Sequence, residues 1–92
     1  MSKPKLAIVL LSYNSLELVE KYLPLIKKSI PQEKNYEVVV VDNASDDYLG
    51  EYVTNNHPDV RLITLKENHG FTNGYVESLA QIDAEYYCLM SS

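Results

Sequence analysis

The sequence predicts an α/β domain: a β-α-β-α-β-α-β three-layer sandwich built on a mainly parallel sheet. Three observations carry this. Two short apolar runs, LAIVLLS (6–12) and YEVVVVD (36–42), lack polar alternation and are too short for helices. Strands covered on both faces have that composition. Stretches with apolar residues at i, i+3, i+4 spacing lie between such runs, and the connections are only a few residues long. Strands alternating with helices in this way imply parallel pairing through right-handed crossovers.

Each element follows in order. After the first run, Asn14 or Ser15 suits a helix N-cap, and Glu17 and Glu20 suit the positive end of the helix dipole. Leu16, Leu18, Val19, Tyr22, Leu23, Leu25, Ile26 and Ile30 make the apolar stripe, Pro24 should kink or weaken the helix, and Pro31 closes it. A second helix is expected from about Asp46 to Asn56, with Ser45 or Asp46 as N-cap and Leu49, Tyr52 and Val53 inward. His57-Pro58 ends it. VRLITLK (60–66) is a half-alternating third strand nearer the sheet edge. A third helix starts near Phe71 or Thr72 and carries Tyr75, Val76, Leu79, Ala80 and Ile82 on one face. EYYCLM (85–90) is the fourth strand, in which Cys88 is expected to be buried.

Composition narrows the function. Ninety-two residues suffice for one small domain, and 46% hydrophobic with 23% charged residues is ordinary for a globular chain. A formal net charge of −5, with scattered lysines, argues against a nucleic-acid surface. One cysteine cannot form an internal disulfide. The opening MSKPKLAIVLLS imitates a signal peptide, but its apolar run is too short and no small-x-small site follows. Nothing approaches the roughly 20 apolar residues of a membrane span. The expectation is a cytoplasmic protein without membrane insertion.

Parallel sheets bind ligands beyond the carboxyl ends of their strands, and the polar residues gather there. The ends read Ser12-Tyr13-Asn14, Asp42-Asn43-Ala44-Ser45, Glu67-Asn68-His69-Gly70-Phe71-Thr72-Asn73-Gly74 and Ser91-Ser92. The first turn lacks glycine, so a G-x-G-x-x-G dinucleotide loop is excluded there, and no Walker A loop exists. Gly70 and Gly74 would permit a positive φ or close backbone approach. His69 reads as an exposed loop histidine, and with only His57 besides there is no histidine cluster for a metal.

The order of SYN after the first strand, VVVVDNASDD in and after the second, and ENHGFTNG before the third helix resembles the family-2 glycosyltransferases of the GT-A fold. Members of that family show [ST]-[YF]-N, V-D-[DN]-x-S-x-D and N-x-G-x-x-x-[AG] at these points. The resemblance covers residues 5–92 and implies a single partial GT-A domain over 1–92, its Rossmann-like, sugar-nucleotide-binding half. It implies nucleotide binding by Ser12, Tyr13, Asn14, Asp42, Asn43, Asn68 and Gly70. Tyr13 would lie against the base, with packing on its own domain as the alternative. Asp42 would accept a hydrogen bond from the base imide N–H, with a capping or turn role as the alternative. The DNAS turn looks most like the rhamnosyltransferase-like branch, which favours a dTDP or UDP donor.

The same resemblance marks a departure. The family's fourth strand runs into a D-x-D-type motif that holds Mg²⁺ or Mn²⁺ against the donor diphosphate, whereas this chain reads EYYCLMSS and stops. The expectations are that the metal belongs to the full-length enzyme and none is bound by this chain. No residue here is a catalytic candidate, and the fragment itself is expected to be inactive. The parent enzyme, inverting and membrane-peripheral by resemblance, would transfer a sugar from a nucleotide-diphosphate sugar (UDP, dTDP or GDP) to a glycan or lipid-linked acceptor. The alternative is a free-standing nucleotide-binding or interaction module, whose exposed edge and face self-association could bury.

Overall fold

A computed structural model describes residues 3–31, 33–68 and 70–91. The elements are β1 (Leu6–Ser12), α1 (Leu16–Ser29), β2 (Tyr36–Asp42), α2 (Leu49–Asn56), β3 (Arg61–Thr64), α3 (Gly70–Leu79) and β4 (Tyr86–Ser91). Among the described residues the strands form one parallel sheet in the order β3-β2-β1-β4. The chain therefore steps outward from β1 to β3, then crosses to the other side of β1. That reversal puts α1 and α2 on one face and α3 on the other, and two cores result. Val9, Leu11, Val39, Val41 and Ile63 meet α3, while Leu10, Val40, Val19, Leu23, Leu49 and Val53 fill the α1/α2 side. The valines of YEVVVVD thus divide alternately between two cores. Val39, Val40 and Val41 are fully buried, which is why the run carries no polar alternation.

Several elements differ from the sequence reading. β3 is shorter than 60–66, and it is an edge strand as expected. α1 continues through Pro24; the proline is exposed, and so is Glu20, whose carbonyl it cannot serve. Only part of the stripe is inward: Val19 and Leu23 are buried, whereas Leu18, Tyr22 and Leu25 are about half exposed. On α3, Tyr75, Leu79 and the following Ile82 pack inward, but Val76 and Ala80 do not. The residues that α3 buries are the small Gly74 and Ser78.

Cys88 is exposed, against expectation. β4 is the second edge of the sheet, and all six of its residues are exposed. Tyr86, Cys88 and Met90 pair with Leu6, Ile8 and Leu10, so they lie on the α1/α2 face. Tyr87 and Leu89 share the other face with Ala7 and Val9, and the Tyr75 hydroxyl donates to the Met90 carbonyl to tie α3 to this strand.

Candidate functional site

Two loops at the carboxyl rim are joined by four hydrogen bonds. Asn43 N–H donates to the Ser12 carbonyl at 2.8 Å. Asn14 N–H donates to Ser45 Oγ at 3.0 Å, and Asp46 N–H returns a bond to Asn14 Oδ1 at 2.7 Å. Leu16 N–H donates to Asp47 Oδ2 at 2.9 Å. Leu16 opens α1, so a carboxylate from the next loop caps this helix; a contact of this kind stabilises by about 1 kcal/mol. Ser15 stands at the N-cap position without a side-chain cap bond.

This bonding explains why α2 starts at Leu49 and not at Asp46. Neither Ser45 nor Asp46 serves as its N-cap: the Ser45 hydroxyl accepts from Asn14 N–H, and the Asp46 backbone N–H is held by Asn14 Oδ1 in the loop before the helix. Tyr48 occupies the cap with a φ of 64° and no side-chain cap bond. Asn14 and Ala44 also have positive φ, so the three non-glycine residues with this conformation among the described ones all lie in these two loops. Backbone held in such sparsely populated regions concentrates at functional sites.

The adjacent residues Asp42 and Asn43 are both buried, at 6% and 3% exposure. Asp42 Oδ1 accepts the Ser45 N–H at 2.9 Å, and Oδ2 lies beside Gly50 of α2. Its carboxylate lines a cavity of about 450 Å³ between α2 and β3, together with Ser45, Tyr48 and Thr64. Asn43 points the other way. It shares a cavity of about 210 Å³ with Tyr13, Asn68, Gly70 and Phe71. Its Nδ2 donates to Asn68 Oδ1 at 3.2 Å and to the Gly70 carbonyl at 3.4 Å. Its Oδ1 is buried and has no hydrogen-bond partner among the described residues. A buried acceptor left bare costs free energy that a bound N–H would recover.

Tyr13, 45% exposed, and Phe71, more exposed still, are the aromatic walls of this cavity. The two glycines divide the roles foreseen for them. Gly70 has a φ of 81°, whereas Gly74 permits close approach: a Cβ there would lie 3.3 Å from both Leu11 methyls and 3.4 Å from Asn43 Nδ2. Of the residues singled out from sequence, Tyr13, Asn43, Asn68 and Gly70 come together. Ser12 and Asn14 hold the loops, and Asp42 belongs to the neighbouring cavity. Phe71 was read only as a helix start; an aromatic directly after the loop glycine was the available signal. His69 and Ser92 lie outside the described residues. Among the described residues no group of three His, Cys, Asp or Glu side chains could hold a metal ion, so the donor set for Mg²⁺ or Mn²⁺ is not found there. No described helix is long and apolar enough to cross a membrane.

Topology and rim together define a Rossmann-like α/β unit of the GT-A kind. The chain belongs to Glycosyl transferase family 2, whose sequence pattern it matches over residues 7–92. Among solved structures it is similar to the mannosyltransferase PcManGT from Pyrobaculum calidifontis, in complex with GDP-Man and Mn²⁺. The identity is 28% and the TM-score 0.71, over 90% of this chain and 26% of that one. S. aureus TarS in complex with UDP matches at 25% identity and a TM-score of 0.79, over 96% of this chain and 27% of that one. TarS in complex with UDP-GlcNAc matches at 24% identity and a TM-score of 0.80, over 95% and 26%, a likeness of fold alone. The chain thus spans about a quarter of PcManGT and of residues 1–349 of TarS, and 16% of the longer TarS chain. No curated protein matches it.

Proposed function

We propose that this chain supplies the base-binding part of a glycosyltransferase that uses a nucleotide-diphosphate sugar, with UDP, dTDP or GDP as the carrier. The parent reaction transfers the sugar to a glycan or lipid-linked acceptor, and the chain by itself is inactive. The observation that carries the reading is Asn43, which lines a cavity walled by Tyr13 and Phe71 and whose buried Oδ1 has no partner among the described residues. An aromatic face stacks on a planar ring, and a lone buried acceptor fits a ring N–H. The cavity is smaller than the roughly 300–1,000 Å³ of a complete ligand site, so it suits a base and leaves the sugar diphosphate outside it.

Two further points refine the reading. The base-reading role passes from Asp42 to Asn43, because Asp42 is committed to the Ser45 turn and to the other cavity. Parallel folds often seat phosphate on the N-terminus of the first helix, but here Leu16 N–H already has the Asp47 carboxylate. The similar proteins bind GDP-Man with Mn²⁺, and UDP. In a full-length enzyme Mg²⁺ or Mn²⁺ would neutralise the diphosphate, and no step is assigned to a metal on these residues.

A second reading, a free-standing nucleotide-binding or interaction module that self-associates, draws on the exposed β4, where Leu89 is 48% and Tyr86 64% exposed. Sedimentation of the chain and of Leu89→Glu over a range of concentrations separates the two. The principal test is an NMR titration with UDP, dTDP and GDP, with and without Mg²⁺. Shifts at Tyr13, Asn43, Gly70 and Phe71 with little metal dependence are expected. A folded sample that ignores all three nucleotides at about millimolar concentration overturns the reading.

A further inference from the structure

The direction of the Asn43 amide is set by its neighbours, in two steps. Gly70 N–H, a backbone group that can only donate, points at Asn68 Oδ1 at 2.8 Å. That contact identifies the oxygen of the Asn68 amide without reference to any other side chain. The same oxygen accepts from Asn43 Nδ2 at 3.2 Å, and the Gly70 carbonyl, which can only accept, faces the same nitrogen at 3.4 Å. Both acceptors therefore demand the NH₂ end of Asn43. Rotating the amide by half a turn would set its oxygen against two other oxygens.

The opposite end of the amide, its oxygen, is buried. Asn43 Oδ1 has no hydrogen-bond partner among the described residues, and Asn43 lines the cavity with Tyr13 and Phe71. A free asparagine could offer a donor or an acceptor to a ligand; this one can offer only an acceptor. Uracil and thymine carry a ring N–H on their pairing edge, as guanine does, whereas cytosine presents a bare ring nitrogen there. An acceptor held against that nitrogen makes a hydrogen bond in the first group and a lone-pair clash in the second.

We propose that Asn68 is a positioning residue that selects the nucleobase: by fixing the Asn43 amide it makes the cavity favour bases with a ring N–H and disfavour cytosine. This rests on the nucleotide-binding reading above. Asn68 itself need not touch the base. Its Oδ1 is occupied by Gly70 and Asn43, and it lies at the exposed rim of the cavity.

The test uses the full chain, its Asn68→Ala and Asn68→Asp variants, and the probes UDP and CDP. Asparagine and aspartate both supply an acceptor oxygen at the required place, and alanine supplies none. Without nucleotide, the Asn43 side-chain NH₂ should show a cross-relaxation signal to the Gly70 region and slowed solvent exchange. Both should be lost in Asn68→Ala and kept in Asn68→Asp. With nucleotide, the chain should prefer UDP to CDP by about tenfold or more. Asn68→Ala should bring that ratio towards one by weakening UDP and strengthening CDP, and Asn68→Asp should retain it. Equal weakening of both nucleotides in Asn68→Ala overturns the proposal, as does an unchanged ratio. An oriented Asn43 amide in a protein that binds no nucleotide instead removes the nucleotide reading on which base selection depends.

Discussion

Asp42 and Asn43 are consecutive, yet their side chains line different cavities on opposite faces of the sheet. Strand alternation is the cause. Val40 lies in the α1/α2 core and Val41 in the α3 core, and the alternation continues past the end of β2. Asp42 is carried towards α2, where it closes the Ser45 turn. Asn43 is carried towards the loop before α3, where Asn68 and Gly70 await its amide.

A pair of substitutions separates the two residues. Asp42→Asn keeps an acceptor for the Ser45 N–H and should leave UDP affinity within about threefold of the parent. Asn43→Ala removes the cavity acceptor and should weaken UDP by about tenfold or more, since a lost hydrogen bond to a buried group is worth roughly 1–3 kcal/mol. Calorimetric titration reads both. The reverse pattern would return the base-reading role to Asp42.

Three glycines should respond differently to alanine. At Gly50 a Cβ meets Asp42 Oδ2 at 3.4 Å and Leu62 at 3.5 Å, ordinary contacts, so Gly50→Ala should stabilise α2 by about 0.5–1 kcal/mol. At Gly70 there is open space but a φ of 81°, so alanine should cost about 1–2 kcal/mol from backbone strain alone. At Gly74 the crowding falls on buried Leu11 and on Asn43. Gly74→Ala should offset its helix-propensity gain with overpacking of about 1–3 kcal/mol and shift the Asn43 side-chain resonances. Urea denaturation with NMR spectra of the three variants checks this order; a Gly74→Ala protein as stable as Gly50→Ala with Asn43 unmoved would contradict it.

The legible part of the fold was its apolar pattern. Continuous valines announced a strand buried on both faces, and the spacing of Val19 and Leu23 announced the helix over it. The illegible part was exchange between loops. Ser45 and Asp46 have the chemistry of N-caps, but hydrogen bonds spanning about thirty residues tie the Ser45 hydroxyl and the Asp46 backbone N–H to Asn14. Local propensity cannot register a partner that distant. Cys88 failed for a related reason: its apolar neighbours resemble a core strand, and only the topology reveals an edge. The division between Asp42 and Asn43 was available in principle from the alternation of the valines before them.

The far end of the molecule carries a pH-dependent contact. His57 is buried at the end of α2, its Nδ1 3.1 Å from Lys27 Nζ of α1 and its Nε2 3.1 Å from the Tyr52 hydroxyl. An ammonium can only donate, so Nδ1 accepts and the neutral ring keeps its proton on Nε2, directed at the Tyr52 oxygen. Lys27 also pairs with Asp59 at 2.8 Å. Burial, aided by the Lys27 charge and opposed by Asp59, lowers the His57 pKa below its ordinary 6.5. The unfolded chain then binds the proton more readily than the folded one. The stability from this contact is present above pH 6.5 and is lost as pH falls from there through the folded-state value. Urea denaturation between pH 8 and pH 5 should show the parent losing stability in that window, and His57→Gln, which cannot titrate, should lose less. Lys27→Met should make the loss smaller, because removing the positive charge beside the ring lets the folded-state pKa rise back towards 6.5. Parent and His57→Gln curves that fall in parallel would place the acid sensitivity elsewhere in the protein.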